Sequence, residues 1–356
     1  MWSKIERFGK YYLAAKSNKP FFKTNLNQKV KILKNVSRFF SSNSNKPLII
    51  NNKPVTAQIE PTSVCNLKCE MCVREKIGVP IGTMKFEDFK KILDKLDCLF
   101  KIHLSGQGEP FLNPDIFKMI RYANKRGILV NTTTNGSVLT KKIIDEICGV
   151  EIGEISISLD STNKETYEKI RKGANFEKVT ENVKNLTSEL KRRKRGTIVS
   201  FAIVILKENF EEIPDFAKLA YKAGVKKIIF QTVQNKVDYV DKYNKKIKTQ
   251  TVADFIEKIK SKIEEAKELG KKYKILVVFD EGKAGGGCIW PWRGIYITWN
   301  GYVTPCCKIL DYRKPIMGNI LQEDFWKIWN GKNYRMFREL LKKRMPPAPC
   351  RGCGMV

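Results

Sequence analysis

A chain of 356 residues, 42% hydrophobic and 10% aromatic, has enough apolar material for one large domain or a large and a small one, which excludes global disorder. No run approaches the ~18 uncharged apolar residues of a membrane span, and the charge-studded start has no apolar signal block, so the chain reads as cytoplasmic. The net charge of +30 admits nucleic acid, anionic lipid or an acidic protein as partners. Most lysines alternate with Glu and Asp along helical faces, as in KIEEAKELGKK, and read as solvated surface.

Residues 1–53 form a first segment with 12 Lys/Arg and one Glu, near +11. Trp2, Ile5, Phe8 and Tyr12 share one helical face, as do Val30, Leu33, Val36 and Phe40. A basic amphipathic helix with aromatics suits an anionic membrane surface; the alternative is a helix pair packed on the open mouth of a barrel.

Residues 54–235 repeat one unit: a short β-rich run, a turn and an amphipathic helix. The runs are TAQIE (56–60), KIHLS (101–105), ILVNTTT (128–134), EISISLD (154–160), TIVSFAIVIL (197–206) and KKIIFQTV (226–233). Helical stretches such as FEDFKKILDKLDCLF and NPDIFKMIRYANKRG lie between them, the second bounded by Asn113-Pro114 and Gly127. Six βα units in series predict an α/β fold with a parallel sheet. Six strands are too few for a closed barrel of eight, so a partial (β/α)6 barrel is expected. Residues 236–281 read as a linking helix and strand. Residues 282–356 are rich in Gly, Trp and Cys and read as a small α+β extension, with a hairpin turning at Asn300-Gly301.

Ten cysteines in a reducing compartment point to metal binding rather than to disulfides, and the single His103 argues against a zinc enzyme built on imidazoles. EPTSVCNLKCEMCVRE gathers Cys65, Cys69 and Cys72 directly after the first strand, where parallel α/β sheets place their chemistry. A structural zinc site wants four ligands. Three thiolates on a four-iron cluster leave one iron open for a substrate or cofactor.

The C-x3-C-x2-C spacing after the first strand resembles the radical SAM superfamily. SGQGEP after the second strand is similar to that family's Gly-Gly-Glu element at Gly108 and Glu109, and departs from it at Gln107. TTTNG with Asn135 and Gly136 follows the third strand. Ser158 and Asp160 in SISLDS match positions that contact ribose and carboxylate. Arg171 resembles a basic residue that meets the methionine carboxylate, and Met71 stands where an aromatic usually lies beside adenine. The resemblance implies that Cys65, Cys69 and Cys72 hold a [4Fe–4S] cluster binding S-adenosylmethionine. It also implies a 5′-deoxyadenosyl radical that abstracts hydrogen from an unactivated C–H bond.

Cys288, Cys306, Cys350 and Cys353 resemble the ligands of the SPASM/Twitch extension of the same superfamily, implying one auxiliary [4Fe–4S] cluster of the shorter Twitch form. Zinc on the same four thiols is the physical alternative. Cys307 reads as a neighbour, Cys98 and Cys148 as core thiols, and His103 as a packed or hydrogen-bonded histidine, with a substrate-facing role as its alternative. The core motifs do not choose a substrate. The N-terminal segment favours a lipid or other long apolar molecule, including C–C bond formation. Peptide modification or alcohol dehydrogenation, RNA modification, and an iron–sulfur electron carrier are the alternatives. An electron donor such as ferredoxin or flavodoxin is implied; nucleic acid ranks behind lipid, for want of an RNA-binding module.

Overall fold

The computed structural model describes residues 19–42, 45–232, 255–280, 287–350 and 353. In chain order its elements are α1 (Lys19–Lys23), α2 (Leu26–Ser42), β1 (Thr56–Ile59), α3 (Arg74–Ile77), α4 (Phe86–Lys95), β2 (Lys101–Leu104), α5 (Ile116–Lys125), β3 (Leu129–Thr134), α6 (Lys141–Cys148), β4 (Glu154–Ser158), α7 (Lys164–Ile170), α8 (Phe176–Arg192), β5 (Ile198–Ile205), α9 (Asp215–Lys222), β6 (Lys227–Thr232), α10 (Ile256–Tyr273), β7 (Leu276–Asp280), α11 (Trp290–Arg293), β8 (Gly294–Ile297), β9 (Val303–Thr304), α12 (Phe325–Trp329) and α13 (Lys332–Lys342). The six β-rich runs each hold one strand. Helix starts follow their capping residues: Asn163 accepts from Thr166 N at 3.0 Å and Asn175 from Lys178 N at 2.8 Å.

All strands join one sheet in the order β7-β6-β5-β4-β3-β2-β1-β8-β9. Every pair is parallel except β8 with β9. The six expected strands are therefore extended at both ends. The strand read as part of a linker is β7, paired with β6, and β8 of the C-terminal region pairs with β1. The hairpin turns as expected, with Gly301 at φ +84° and Thr298 N donating to the Tyr302 carbonyl at 2.9 Å.

Strand alternation sorts the two faces. Ile59, Ile102, Leu104, Val130 and Ile155 are fully buried against the helices. Their neighbours point the other way: Gln58, His103, Asn131 and Glu154 sit in register across β1 to β4, with Thr133 and Ser156 one step along. The inner wall is thus polar along β1 to β4, while β5 and β6 add Ala202, Val204 and Ile229.

The N-terminal helix α2 closes the opposite end from the one expected. Asn35 Nδ2 donates to the Lys53 carbonyl at 3.1 Å and its Oδ1 accepts from Lys53 N at 2.9 Å, while Gln28 Nε2 donates to the Asp97 carbonyl at 2.7 Å. Lys53 and Asp97 precede β1 and β2, so α2 lies at the floor of the barrel and not at its mouth. The core-facing residues of α2 are Ile32, Val36 and Phe39, whereas Val30 and Leu33 of the expected stripe are exposed. The predicted face of Trp2, Ile5, Phe8 and Tyr12 lies outside the described residues. Among the described residues, no helix is long and apolar enough to cross a membrane.

Candidate active site

Past β1 the chain enters the loop that carries Cys65, Cys69 and Cys72, at the C-terminal end of the parallel strands. Three contacts pin this loop. Glu109 N donates to the Val64 carbonyl at 2.9 Å, Lys68 N to the Lys172 carbonyl at 3.0 Å, and Glu70 N to the Ile170 carbonyl at 2.8 Å. Asn135 Nδ2 reaches Cys65 Sγ at 3.9 Å, and Arg171 Nη1 reaches Cys69 Sγ at 3.8 Å. Burial pushes the Cys69 thiol up to about 11; Arg171 opposes this, and Cys72 and Cys65 add to it, so the three sulfurs share one electrostatic neighbourhood. Among the described residues, no group of three His, Cys, Asp or Glu side chains would hold a single metal ion. A mononuclear zinc draws its sulfurs to about 2.3 Å of one centre. Thiols strung along a loop fit instead a cluster that takes one thiolate per iron.

The turn after β2 fits against this loop through its glycines. A Cβ on Gly108 would stand 2.4 Å from the carbonyl oxygens of Thr62 and Val64, so any side chain there would push the thiol loop away. Glu109 is buried, and its carboxylate points into the protein. Thr134 Oγ1 donates to Oε1 at 2.7 Å and Asn135 N to Oε2 at 2.7 Å. Burial pushes its carboxyl up to about 7, against these donors. Glu109 thereby fixes Asn135 next to Cys65.

Ser158 and Arg171 border the barrel interior, whereas Asp160 does not. Asp160 is fully buried; Val204 N donates to Oδ1 at 2.9 Å, and Arg171 Nη2 meets Oδ2 at 2.7 Å. This ion pair aims Arg171 at the thiol loop. Met71 is half-buried in the loop between Cys69 and Cys72.

Below this site the barrel encloses a cavity of about 400 Å³, lined by Lys101, His103, Asn131, Glu154, Ser158 and Gln231 among others. His103 Nε2 hydrogen-bonds Thr133 Oγ1 at 2.9 Å, and desolvation lowers its pKa to about 4, helped by Lys101, so the imidazole is neutral at ordinary pH. The hydrogen-bonded histidine expected from the sequence is present, and it faces this cavity.

Two buried residues escaped sequence reasoning. Glu60, at the end of β1, receives Gln107 N at 2.7 Å, Trp299 N at 3.2 Å and the Tyr296 hydroxyl at 3.3 Å. It ties the turn after β2 to the β8–β9 hairpin. Arg74 donates to the carbonyls of Ser63 at 3.5 Å and Leu67 at 3.4 Å, holding the thiol loop from behind. The position of Glu60 at the mouth end of an inward-facing row, Thr56-Gln58-Glu60, was the available signal.

The second thiol set lies in the C-terminal region. Burial pushes the Cys288 thiol up to about 11, with the charges of Cys306 and Cys353 adding to it, so these three stand near one another. Cys350 is buried, and Cys353 N donates to its carbonyl at 3.1 Å in a tight turn. Cys306 is fixed by Thr304 Oγ1, which donates to its carbonyl at 3.0 Å. Cys98 and Cys148 are buried in the core, as expected.

An open parallel barrel with three thiols at its mouth and a second thiol set beside it defines an iron–sulfur enzyme. The Radical SAM superfamily model matches residues 59–220, and that of SPASM, an iron-sulfur cluster-binding domain, matches residues 288–354. The chain belongs to the radical SAM superfamily and carries a C-terminal SPASM domain. These domains bring an S-adenosylmethionine-binding [4Fe–4S] cluster and auxiliary cluster binding, in place of the zinc alternative.

The chain is 28% identical over 328 residues to the tungsten-containing aldehyde ferredoxin oxidoreductase cofactor-modifying protein of Pyrococcus furiosus, covering 83% of this chain and 86% of that one. It is 27% identical over 314 residues to the antilisterial bacteriocin subtilosin biosynthesis protein AlbA of Bacillus subtilis, covering 84% and 67%. Its fold is similar to that of Streptococcus suis SuiB bound to precursor peptide SuiA, with a TM-score of 0.68 at 17% identity over 91% of this chain and 74% of that one.

Proposed function

We propose that this radical SAM enzyme acts on a polar, hydrogen-bonding substrate, a peptide or a cofactor-like molecule, held inside the barrel. The cavity wall carries this reading: His103, Asn131, Thr133, Ser156 and Ser158 of β2 to β4, with Gln231, offer donors and acceptors along most of it, and the aliphatic side chains Ala202, Ile203, Val204 and Ile229 are confined to the β5–β6 side. The curated relatives support it, since one is named for modifying a cofactor and another for bacteriocin biosynthesis. The lipid expectation rested on the N-terminal segment, and α2 turns Ile32, Val36 and Phe39 into the core.

In this reading Cys65, Cys69 and Cys72 hold the first cluster. When bound, that cluster and S-adenosylmethionine supply a 5′-deoxyadenosyl radical. The chain's own residues bind, orient and exclude water. Arg171, fixed by Asp160, places a positive charge beside Cys69 for the methionine carboxylate. The turn at Gly108 lets backbone approach closely, Met71 offers an apolar face to adenine, and Asn135 and Ser158 supply polar contacts for the nucleoside. Cys288, Cys306, Cys350 and Cys353 hold one auxiliary [4Fe–4S] cluster, and a ferredoxin or flavodoxin supplies electrons.

The test is anaerobic reconstitution with dithionite and S-adenosylmethionine, reading 5′-deoxyadenosine. Peptide and small-cofactor fractions should raise its formation severalfold over the substrate-free rate. Stimulation by lipid extract alone would restore the lipid reading, and stimulation by RNA alone would favour RNA modification.

A further inference from the structure

The floor of the barrel holds more positive charge than its own carboxylate neutralises. Lys101 opens β2, Lys227 opens β6, and Arg293 immediately precedes β8. Glu154, the first residue of β4, is the acid among them, and it is already engaged. Lys227 Nζ meets its two oxygens at 3.0 and 3.1 Å, and Ser200 Oγ donates to Oε1 at 2.7 Å. Lys101 and Arg293 are left over. Among the described residues neither has a carboxylate at ion-pairing distance. With the Asn131 amide turned so that both of its polar atoms find partners, its oxygen accepts from Lys101 Nζ at 3.0 Å and its nitrogen donates to the Val130 carbonyl at 3.1 Å. Arg293 lies 6.0 Å from the Trp290 ring centroid, and its Nε is buried without an acceptor.

The two cations feel each other. Desolvation above all draws the Lys101 ammonium below its usual range; Glu154 opposes this, and Lys227 and Arg293 add to it. Withdrawing like charges from water without a counter-ion is costly, and a fold that only needed a plug at its floor already has one in Lys227, Glu154 and Ser200. Lys101 also lines the cavity that reaches Ser158 and Arg171 at the mouth.

We propose that Lys101, backed by Arg293, is a seat for an oxyanion, a carboxylate or a phosphate, carried by the far end of the substrate. This rests on the reading of the barrel interior as the substrate chamber. At about 3.3 Å per residue, the β2 backbone at Lys101 lies about 13 Å below Ser105, where the turn beside the thiol loop begins. A substrate anchored by its anionic end would pass the neutral His103–Thr133 pair and present its other end to the radical. Lys101 is then a specificity-determining residue, selecting among polar molecules those with an anionic terminus at the right distance.

The experiment is calorimetric titration of the reconstituted holoenzyme, loaded with S-adenosylmethionine, with inorganic phosphate and separately with succinate, against chloride as control. Iron content and cluster absorbance check that each variant is assembled. At least one oxyanion should bind the parent enzyme. That affinity should fall about tenfold or more in K101M, fall severalfold in R293M, return in K101R, and weaken with salt. Binding of phosphate alone marks a phosphorylated substrate, and of succinate alone a carboxylate. No binding of either to the parent, or equal binding to K101M and R293M, overturns the seat. Lys101-dependent binding in an enzyme that no peptide or cofactor fraction stimulates leaves the seat standing and removes the proposed substrate class; stimulation without such binding does the reverse.

Discussion

His103 is the sole histidine of the chain, so its titration can be watched without assignment. Desolvation beneath the barrel mouth, with the nearby Lys101 charge, depresses its pKa to about 4 from an unfolded value of 6.5. Between these values the unfolded chain binds the proton and the folded chain does not. The stability contributed by the neutral imidazole is therefore full above pH 6.5 and is lost as pH falls through about 4, an effect on the order of 3 kcal/mol. The imidazole proton resonance of the cluster-free protein should titrate with a midpoint near 4. A midpoint near 6.5 would place the ring in open water and remove it from the chamber wall. The same residue shows what sequence could reach. A histidine in the middle of KIHLS is visibly inside a strand, but which neighbour shares its side of the sheet depends on strand register, and Thr133 becomes its partner only through the pairing of β2 with β3. Asp160 teaches the converse: its place in SISLDS was legible, while its turn away from the cavity toward Arg171 was not.

At the scale of elements, the six central strands and their helices were legible because hydrophobic period and turn residues are local properties. The sheet's two ends were not. β7 and β8 pair with strands far away in sequence, and a short apolar run gives no sign of whether it ends a linker or extends a sheet. Helix α2 shows the same limit. Its apolar residues were visible, but the face read from them held Val30, Leu33, Val36 and Phe40, whereas the packed face holds Ile32, Val36 and Phe39 beside Asn35, which hydrogen-bonds the backbone at Lys53. A helix held this way contributes to folding stability. Ile32 is fully buried in the core, so Ile32→Ala should lower unfolding free energy by roughly 2–5 kcal/mol in urea denaturation of the holoenzyme. A surface-lying membrane helix would be indifferent to that change in solution, and an unchanged midpoint would bring the membrane reading of this segment back.

For the whole molecule, the question is how the two thiol sets depend on each other. They sit in regions joined by one continuous sheet, since β8 leads from the second set straight into a pairing with β1, which leads into the first. Glu60 locks that junction with bonds to both sides. Arg313 adds a tie, donating to the Ile77 carbonyl at 2.6 Å at the end of α3, but the thiol-bearing turns themselves are held by different residues. The first is held by Glu109, Asn135, Arg171 and Arg74, none of which belongs to the C-terminal region, and the second lies in the turns around Cys306 and Cys350. Loss of the second cluster should therefore spare the first. In the double variant Cys350→Ala, Cys353→Ala, iron per chain should fall by roughly half, because two of the four ligands proposed for the auxiliary cluster are gone. The cluster signal perturbed by S-adenosylmethionine should persist in electron paramagnetic resonance after reduction. Replacing Cys65, Cys69 and Cys72 by Ala should remove that perturbed signal and abolish 5′-deoxyadenosine formation, leaving the other half of the iron in place. If instead the C-terminal double variant loses all its iron, the two sites assemble as one unit through the shared sheet. The junction at Glu60 would then carry more than positional coupling.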